Sequence, residues 1–515
     1  MYSSILTGCI SGMDAAMIRT EVDISTGLPG FSLVGSLGSE VKEAKERVQV
    51  ALKNTGYHIP PNKITVNLSP ANIKKDGTGF DVPIAVGLLQ ALGCFSPKDT
   101  EHMLFVGELG LNGEIKPVKG ILPIVRMAAL EGIKCCFVPF ENQMEGSMIS
   151  GIQVRGVSHI RELIRYLECR DLEEKDKILP VCKRSFRELF LADLSDDIPD
   201  FSQVKGQHIA KRGAEIAAAG FHNLLLSGPP GGGKSMIAKR IPGILPILTE
   251  EECLEVSSVY SVAGMLTSTK PLILQRPFVA PHHTATYSAL VGGGAKGRPG
   301  AISLAHRGVL FLDELTEFPR PVLECLRQPL EERKIMIARS YGNYTYPADF
   351  MLVCAMNPCK CGYYPDRNKC SCTASELQQY RSKLSGPLLD RIDVYVETTE
   401  VDIFHFNNSV CEETTKQIRA RVLAARERQK RRFADKEYSF NGEMSGADVE
   451  KYCILGKEEK SLMEQAYKQM GFSARSYHKI LKVARTIADL AGAEEIGMEH
   501  LSEALSYRIT EKKVN

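Results

Sequence analysis

The stretch "HNLLLSGPPGGGKSMIAKRI", residues 222–241, constrains this chain more than any other. An apolar run ends in Gly228-Pro229-Pro230-Gly231-Gly232-Gly233-Lys234-Ser235 and continues as a helical pattern, the G-x4-G-K-[ST] spacing in its strand–loop–helix setting. Small residues let backbone N–H groups wrap phosphates at a helix N-terminus, Lys234 reaches the β- and γ-phosphates, and Ser235 coordinates Mg²⁺. The segment predicts a magnesium–nucleotide site on an α/β sheet.

A bound magnesium nucleotide needs a second carboxylate anchor. "GVLFLDEL" supplies an apolar strand ending in Asp313-Glu314, with Asp313 expected in the metal shell and Glu314 orienting or deprotonating the attacking water. A further strand, "ADFMLVCAMN", ends at Asn357, whose amide can hold that water, sense the γ-phosphate or simply serve a turn. Phosphoryl transfer also gains from a cation near the developing charge. Arg391 in "SGPLLDRIDVYVE" and Arg475 in "GFSARSYHKILKVARTIADL" are the candidates, with a surface ion pair the alternative for each.

At 515 residues the chain exceeds one compact core, and roughly two to four domains are expected. Residues 1–168 mix short apolar runs with helical patterns, an α+β domain; 169–195 are charged and weakly patterned, a linker; 196–405 alternate strands and helices around a parallel sheet; 406–515 read as helical throughout. A net charge of +2 confines any nucleic-acid contact to local patches. The opening residues lack a leader pattern, and no run approaches the ~18 apolar residues of a membrane span, so a cytoplasmic protein without membrane partners is expected. Most of the fifteen cysteines sit in apolar segments such as "IKCCFVP", as reduced, core-packed thiols do.

The exception is "NPCKCGYYPDRNKCSCT". Cys359-x-Cys361 and Cys370-x-Cys372 flank an eight-residue loop rich in turn formers, which can bring four thiolates together. A structural Zn²⁺ site with no open position is the expected reading for 359–372; a reversible redox pair and unliganded thiols remain compatible with the spacing.

"DFSQVKGQ", "GPPGGGKS", "APHHTATYSALVGGG", "GAISLAHRGVLFLDEL", "NPCKCG", "LSGPLLDRIDVYVE" and "FSARSYHKILKVARTIADL" together resemble the magnesium-chelatase-like AAA+ ATPases of the ComM/YifB type, across essentially the whole chain. The resemblance implies ATP as nucleotide, Lys234 and Ser235 in Walker A, Asp313 and Glu314 in Walker B, Asn357 as sensor 1, Arg391 as arginine finger and Arg475 as sensor 2. In that family class the finger serves an adjacent subunit, implying a homo-oligomeric ring, expected to be hexameric. It also implies a helical lid over 406–515, an insertion at 281–300 and a hairpin within 328–350, both facing a central pore, and a DNA motor acting on branched recombination intermediates, including those formed when incoming DNA is integrated. A protein remodeller resembling the chelatase motor subunit is the alternative.

The first domain resembles the Lon-protease domain through "SPANIKKDGTGFDVPIAVGLLQALG" and "NGEIKPVKGILPIVRMAALEGIKCCFVP". Where that resemblance puts the serine nucleophile this chain has Gly79, and where it puts the lysine base it has Leu122, so a proteolytically inactive scaffold is expected. Lys74, Lys75 and Lys119 are read as solvated surface.

For single-stranded or branched DNA, the pore segments offer Lys296 and Arg298 on a glycine loop and Arg339, Tyr341, Tyr344 and Tyr346 on the hairpin: cations to follow phosphates, tyrosines to stack on bases. A solvated loop and a cross-strand aromatic ladder explain the same residues. The helix 416–433, with eight Lys or Arg against one Glu, is either a DNA face or a solvated lid helix. His282 and His283 are assigned no catalysis.

Overall fold

A computed structural model describes residues 1–183, 186–192, 199–294, 297–339, 342–400, 412–470 and 473–508. Seven strands build the first sheet: β1 (Tyr2–Ser11), β2 (Asp14–Ser25), β3 (Gly30–Val34), β4 (Lys63–Ser69), β5 (Met103–Phe105), β6 (Cys135–Pro139) and β7 (Gln153–Val157), in the order β3-β4-β2-β1-β5-β6-β7. β2 runs antiparallel to both its neighbours, β1 and β4, and the pairs β3-β4, β1-β5, β5-β6 and β6-β7 are parallel. In β4 the alternation puts Ile64, Val66 and Leu68 inward and leaves Lys63 to solvent. The helix Asp81–Ala91 is buried along its whole length, so it lies in the domain core.

The stretch read as a linker is partly built into this domain. "LEEKDKI" forms the helix Leu172–Ile178, Val181 bridges Arg155 of β7, and Arg155 Nη2 pairs with Asp176 Oδ1 at 2.7 Å. Its charges are spaced for a helix with one anchored face, which composition alone does not reveal.

The second sheet is wholly parallel: β8 (Leu224–Ser227), β9 (Phe278–Val279), β10 (Val309–Leu312), β13 (Met351–Met356) and β14 (Val394–Glu397), in the order β9-β10-β13-β8-β14. Strands buried on both faces need apolar runs without alternation, and "LLL", "VLFL" and "MLVCAM" provide them. Their side chains still sort by parity. Leu224, Leu226, Phe311, Val353 and Val396 join a core with the helices His208–Gly220, Lys234–Ile244 and Ala474–Ala491. Leu225, Leu310, Leu312, Leu352 and Tyr395 face the opposite core, which includes Leu290 and Tyr346. The last helices, Thr415–Arg432 to Met498–Ser506, thus share a core with the phosphate-loop helix. Between β10 and β13 rises an antiparallel hairpin, β11 (Lys334–Arg339) and β12 (Gly342–Pro347), with Ile337 opposite Tyr344.

The two α/β units are stapled at Leu122. Leu122 is fully buried among Leu248, Cys253, Leu272 and Leu274. Its N–H donates to Glu145 Oε1 at 3.0 Å, Gly120 N–H donates to Ser261 O at 3.1 Å, and the Ser261 hydroxyl donates to Glu145. Burial raises the Glu145 carboxyl above its ordinary range while these donors pull it down. Among the described residues no helix is long and apolar enough to cross a membrane.

Candidate nucleotide site and cysteine cluster

Three adjacent strand ends meet at the carboxyl edge of the second sheet. β8 runs into the phosphate loop, its neighbour β13 ends at Asn357, and the next strand, β10, ends at Asp313-Glu314. Ligands of open parallel sheets bind at this edge. Gly231 and Gly233 take φ of +77° and +76°, and no atom lies within 4 Å of a Cβ placed on either, so the loop keeps an open concave face. Gly233 caps the helix Lys234–Ile244, aiming free N–H groups at that face.

Lys234 Nζ donates to Gly228 O (2.7 Å), Pro229 O (2.8 Å) and Asn357 Oδ1 (3.1 Å), so the loop cation and the strand-end amide share one point. Burial lowers the Lys234 pKa, with Asp313 acting against it; a half-desolvated ammonium favours an anionic ligand. Ser235 Oγ donates to Asp313 Oδ2 at 2.7 Å, which brings together the hydroxyl and carboxylate that a hard divalent cation would take. Asp313, Glu314, Asn357 and Lys234 line one cavity of about 200 Å³ with Glu317, Tyr380 and Lys360.

Sequence reasoning passed over one residue here and set another aside. Lys360, exposed between two cysteines, lines the cavity; its place just after Asn357 is the available signal. His283, assigned no catalysis from the sequence, follows β9 and lies with Nδ1 3.2 Å from Glu314 Oε2, just past the end of the neighbouring β10.

Arg391 and Arg475 stand elsewhere. Arg391 is buried, donating to Pro387 O and Glu331, and Arg475 is exposed with Nη1 3.6 Å from the same Glu331 Oε1. Neither lines the cavity that holds Lys234 and Asp313.

The four cysteines converge. Their sulfurs all lie within 4.8 Å of one another, with Cys359–Cys361 at 3.3 Å, Cys361–Cys370 at 3.5 Å and Cys359–Cys370 at 3.8 Å. Four sulfurs at the ~2.3 Å zinc–thiolate bond length stand about 3.8 Å apart in a tetrahedron, so the cluster fits that donor set. Backbone N–H groups of Gly362 (3.2 Å) and Tyr364 (3.4 Å) point at the Cys359 sulfur, and the Tyr363 N–H holds the Cys361 thiol below the usual thiol range. The cluster abuts the phosphate loop: Gly362, at φ +91°, faces Pro230 so closely that a Cβ would stand 2.6 Å from its Cδ.

Of the DNA-contact candidates, Lys296 and Tyr341 lie outside the described residues, and for Arg339 only the backbone at the end of β11 is described. Arg298 is exposed. Tyr344 is half-buried, its ring against Gly12 of the first domain and Gly297 of the insertion, and Tyr346 is buried with its hydroxyl donating to Gly297 O. In this arrangement both rings are packing elements. On the helix Thr415–Arg432, Arg432 pairs with Asp489 at 2.6 Å, Arg426 covers the Phe440 ring at 3.9 Å and Arg421 binds Glu215, so these three charges are spent inside the protein.

The sheet order, the loop after β8 and the strand-end carboxylates and amide define an AAA+ P-loop protein with a helical lid. Models of magnesium chelatase subunit ChlI match residues 200–405 and 20–142, and that of its C-terminal part matches 412–508. YifB of Salmonella typhimurium is 41% identical over 502 residues, 97% of this chain and 96% of its own. Competence protein ComM of Haemophilus influenzae is 40% identical over 498 residues, 96% and 95% of the two chains. Lon protease 2 of Bacillus subtilis is 26% identical over 168 residues, 31% of this chain and 30% of its own. The chain belongs to the YifB/ComM family of magnesium-chelatase-like AAA+ proteins.

Proposed function

We propose that the chain is an ATP-driven, ring-forming DNA motor of the cytoplasm that promotes branch migration of recombination intermediates, as in integration of incoming DNA during transformation. The observation that carries this reading is near full-length likeness to a protein named for competence, on a chain that hydrogen-bonds Lys234 to Asn357 and Ser235 to Asp313. Lys234 and the loop N–H groups bind the phosphates. Ser235 and Asp313 hold Mg²⁺, which when bound offsets phosphate charge. Glu314 orients or deprotonates the water, and Asn357 holds it against the γ-phosphate. Arg391 and Arg475 act as finger and sensor 2 on the pocket of an adjoining copy in a hexamer, a role supported by their place outside their own pocket. Cys359, Cys361, Cys370 and Cys372 hold a structural Zn²⁺, a reading supported by their sulfur spacing. Arg298, with Lys296, Arg339, Tyr341 and Tyr344, forms the strand-tracking surface, the last once its ring leaves Gly12.

ATP hydrolysis measured with and without single-stranded and forked DNA tests this. DNA should accelerate turnover, and Arg298→Ala should weaken the acceleration. Lys234→Ala should abolish nucleotide binding, whereas Glu314→Gln should bind ATP and stall; normal turnover by the glutamine variant removes Glu314 from its role. The match to a chelatase subunit favours a second reading, remodelling of a partner protein, which acceleration by a protein and not by DNA would mark.

A further inference from the structure

A second cavity, of about 840 Å³, shares a wall with the phosphate loop. Gly228 and Pro229, whose carbonyls hold Lys234 Nζ at 2.7 and 2.8 Å, form one side, and the cysteine loop forms another through residues 362–366. Strand register makes the floor: Leu225 of β8 pairs with Tyr395 of β14, and both face the core that includes Leu384. Leu389 and Met356 complete an apolar lining. Lys234, Asp313, Glu314 and Asn357 line the nucleotide cavity and not this one.

The helix Ala374–Arg381 delivers its last residue to this apolar space. Arg381 is only 8% exposed, and its guanidinium lies 4.8 Å from the centroid of the Tyr364 ring. The ring attracts the charge but leaves the five N–H donors of the guanidinium to find acceptors. Among the described residues no acceptor takes one of them. A buried cation in that state is costly unless something in the cavity supplies the acceptor. The remaining charges narrow what that can be. Lys369 Nζ is 2.5 Å from Glu400 Oε2, and Asp366 and Glu397 add two more carboxylates to the lining. They repel a polyphosphate or a nucleic-acid strand, and a small inorganic anion has no apolar body to lay on the floor.

We propose that this cavity is a second ligand site, for a planar, mostly apolar small molecule that carries one anionic head group. The head group accepts the Arg381 N–H bonds, and the body lies on Leu225, Leu384 and Tyr395. Because Gly228 and Pro229 also hold Lys234, the occupant touches the phosphate site from outside the nucleotide cavity.

The test is fluorescence titration of the full chain with 1-anilinonaphthalene-8-sulfonate, a planar monoanion, and with N-phenyl-1-naphthylamine, the same ring system without the charge. A saturating magnesium complex of a non-hydrolysable ATP analogue is present throughout, to fill the nucleotide cavity. The parent should bind the sulfonate about tenfold or more tightly than the amine. Arg381→Met should lose sulfonate affinity about ten- to hundredfold, the worth of one buried charge-assisted hydrogen bond, and keep amine affinity within about threefold of the parent's. Leu389→Trp, which narrows the cavity and leaves Arg381 in place, should weaken both compounds, and it decides the matter if Arg381→Met does not fold by circular dichroism. A smaller preference in the parent, a smaller loss in Arg381→Met, an equal loss of both compounds there, or unweakened binding to Leu389→Trp overturns the proposal.

Discussion

Gly362 offers the sharpest test that the cysteine loop braces the phosphate loop. Alanine there would put its Cβ 2.6 Å from Pro230 Cδ and 2.9 Å from Cγ. A proline ring fixed between Pro229 and Gly231 cannot rotate aside, so one loop must move off the other. Two costs separate. Holding an L-residue at φ +91° costs about 1–2 kcal/mol and burdens the cysteine loop itself. The clash costs about 1–3 kcal/mol by analogy with overpacking, and only this part is charged to the phosphate loop. At 1.4 kcal/mol per tenfold, nucleotide affinity should fall about 5- to 150-fold. The assay is titration with a fluorescent ATP analogue, with bound zinc measured alongside. Gly132→Ala is the control: it carries φ +76° with nothing within 4 Å of the added carbon, so it bears the backbone strain without the clash. If Gly362→Ala binds nucleotide within twofold of the parent, the two loops are not mechanically joined and the bracing argument fails.

Replacing Cys370 and Cys372 with serine should release the metal and depress assembly-dependent ATP hydrolysis; equal zinc content and turnover would refute a metal clip. His222 is fully buried between Thr486 of the last long helix (2.8 Å) and Asp393 (3.9 Å), and burial lowers its pKa to about 4. Since the unfolded ring titrates near 6.5, the unfolded chain takes up a proton the folded one refuses, and stability should fall by about 3 kcal/mol as pH drops from 6.5 to 4. Thermal melts at pH 7 and 5 should show this, and His222→Gln should flatten the difference; an unchanged pH dependence in the variant assigns it to other groups. Restoring Gly79→Ser and Leu122→Lys together should yield no peptidase, because Gly79 lines a cavity of about 540 Å³ that Leu122 does not reach, and should loosen the two α/β units, read by limited proteolysis; cleavage of a casein substrate would contradict this.

What could be read from the chain was whatever short-range spacing controls. The phosphate loop, the carboxylates after "VLFL" and the amide after "MLVCAM" each follow an apolar run, and runs buried on both faces leave an unmistakable pattern. The four sulfurs were legible too, since two C-x-C pairs around a turn-rich loop have few other ways to fold. Contacts between distant segments left no such trace. His283 reaches Glu314 only because β9, which it follows, lies beside β10, and Gly362 meets Pro230 only because β13 lies beside β8. Tyr344 looked like a free stacking ring because a sequence cannot show that Gly12, from another domain, fills the space beneath it.

The two arginines stand apart from their own pocket. Arg391 enters from the turn before β14 and Arg475 from the first turn of a lid helix, yet both reach Glu331 Oε1 at the foot of the hairpin. One carboxylate shared by two guanidinium groups leaves a net positive charge there, and Arg391 Nε is buried without a partner. Arginine charge held beside the hairpin, outside the cavity that Lys234 and Lys360 line, would acquire a use if another copy presented its triphosphate to this face. On the ring proposal Glu331 is then the resting partner that holds both arginines in place, and closing the ring exchanges a carboxylate for a phosphate of greater charge. On the same proposal that exchange would tie hydrolysis to assembly through Coulomb attraction.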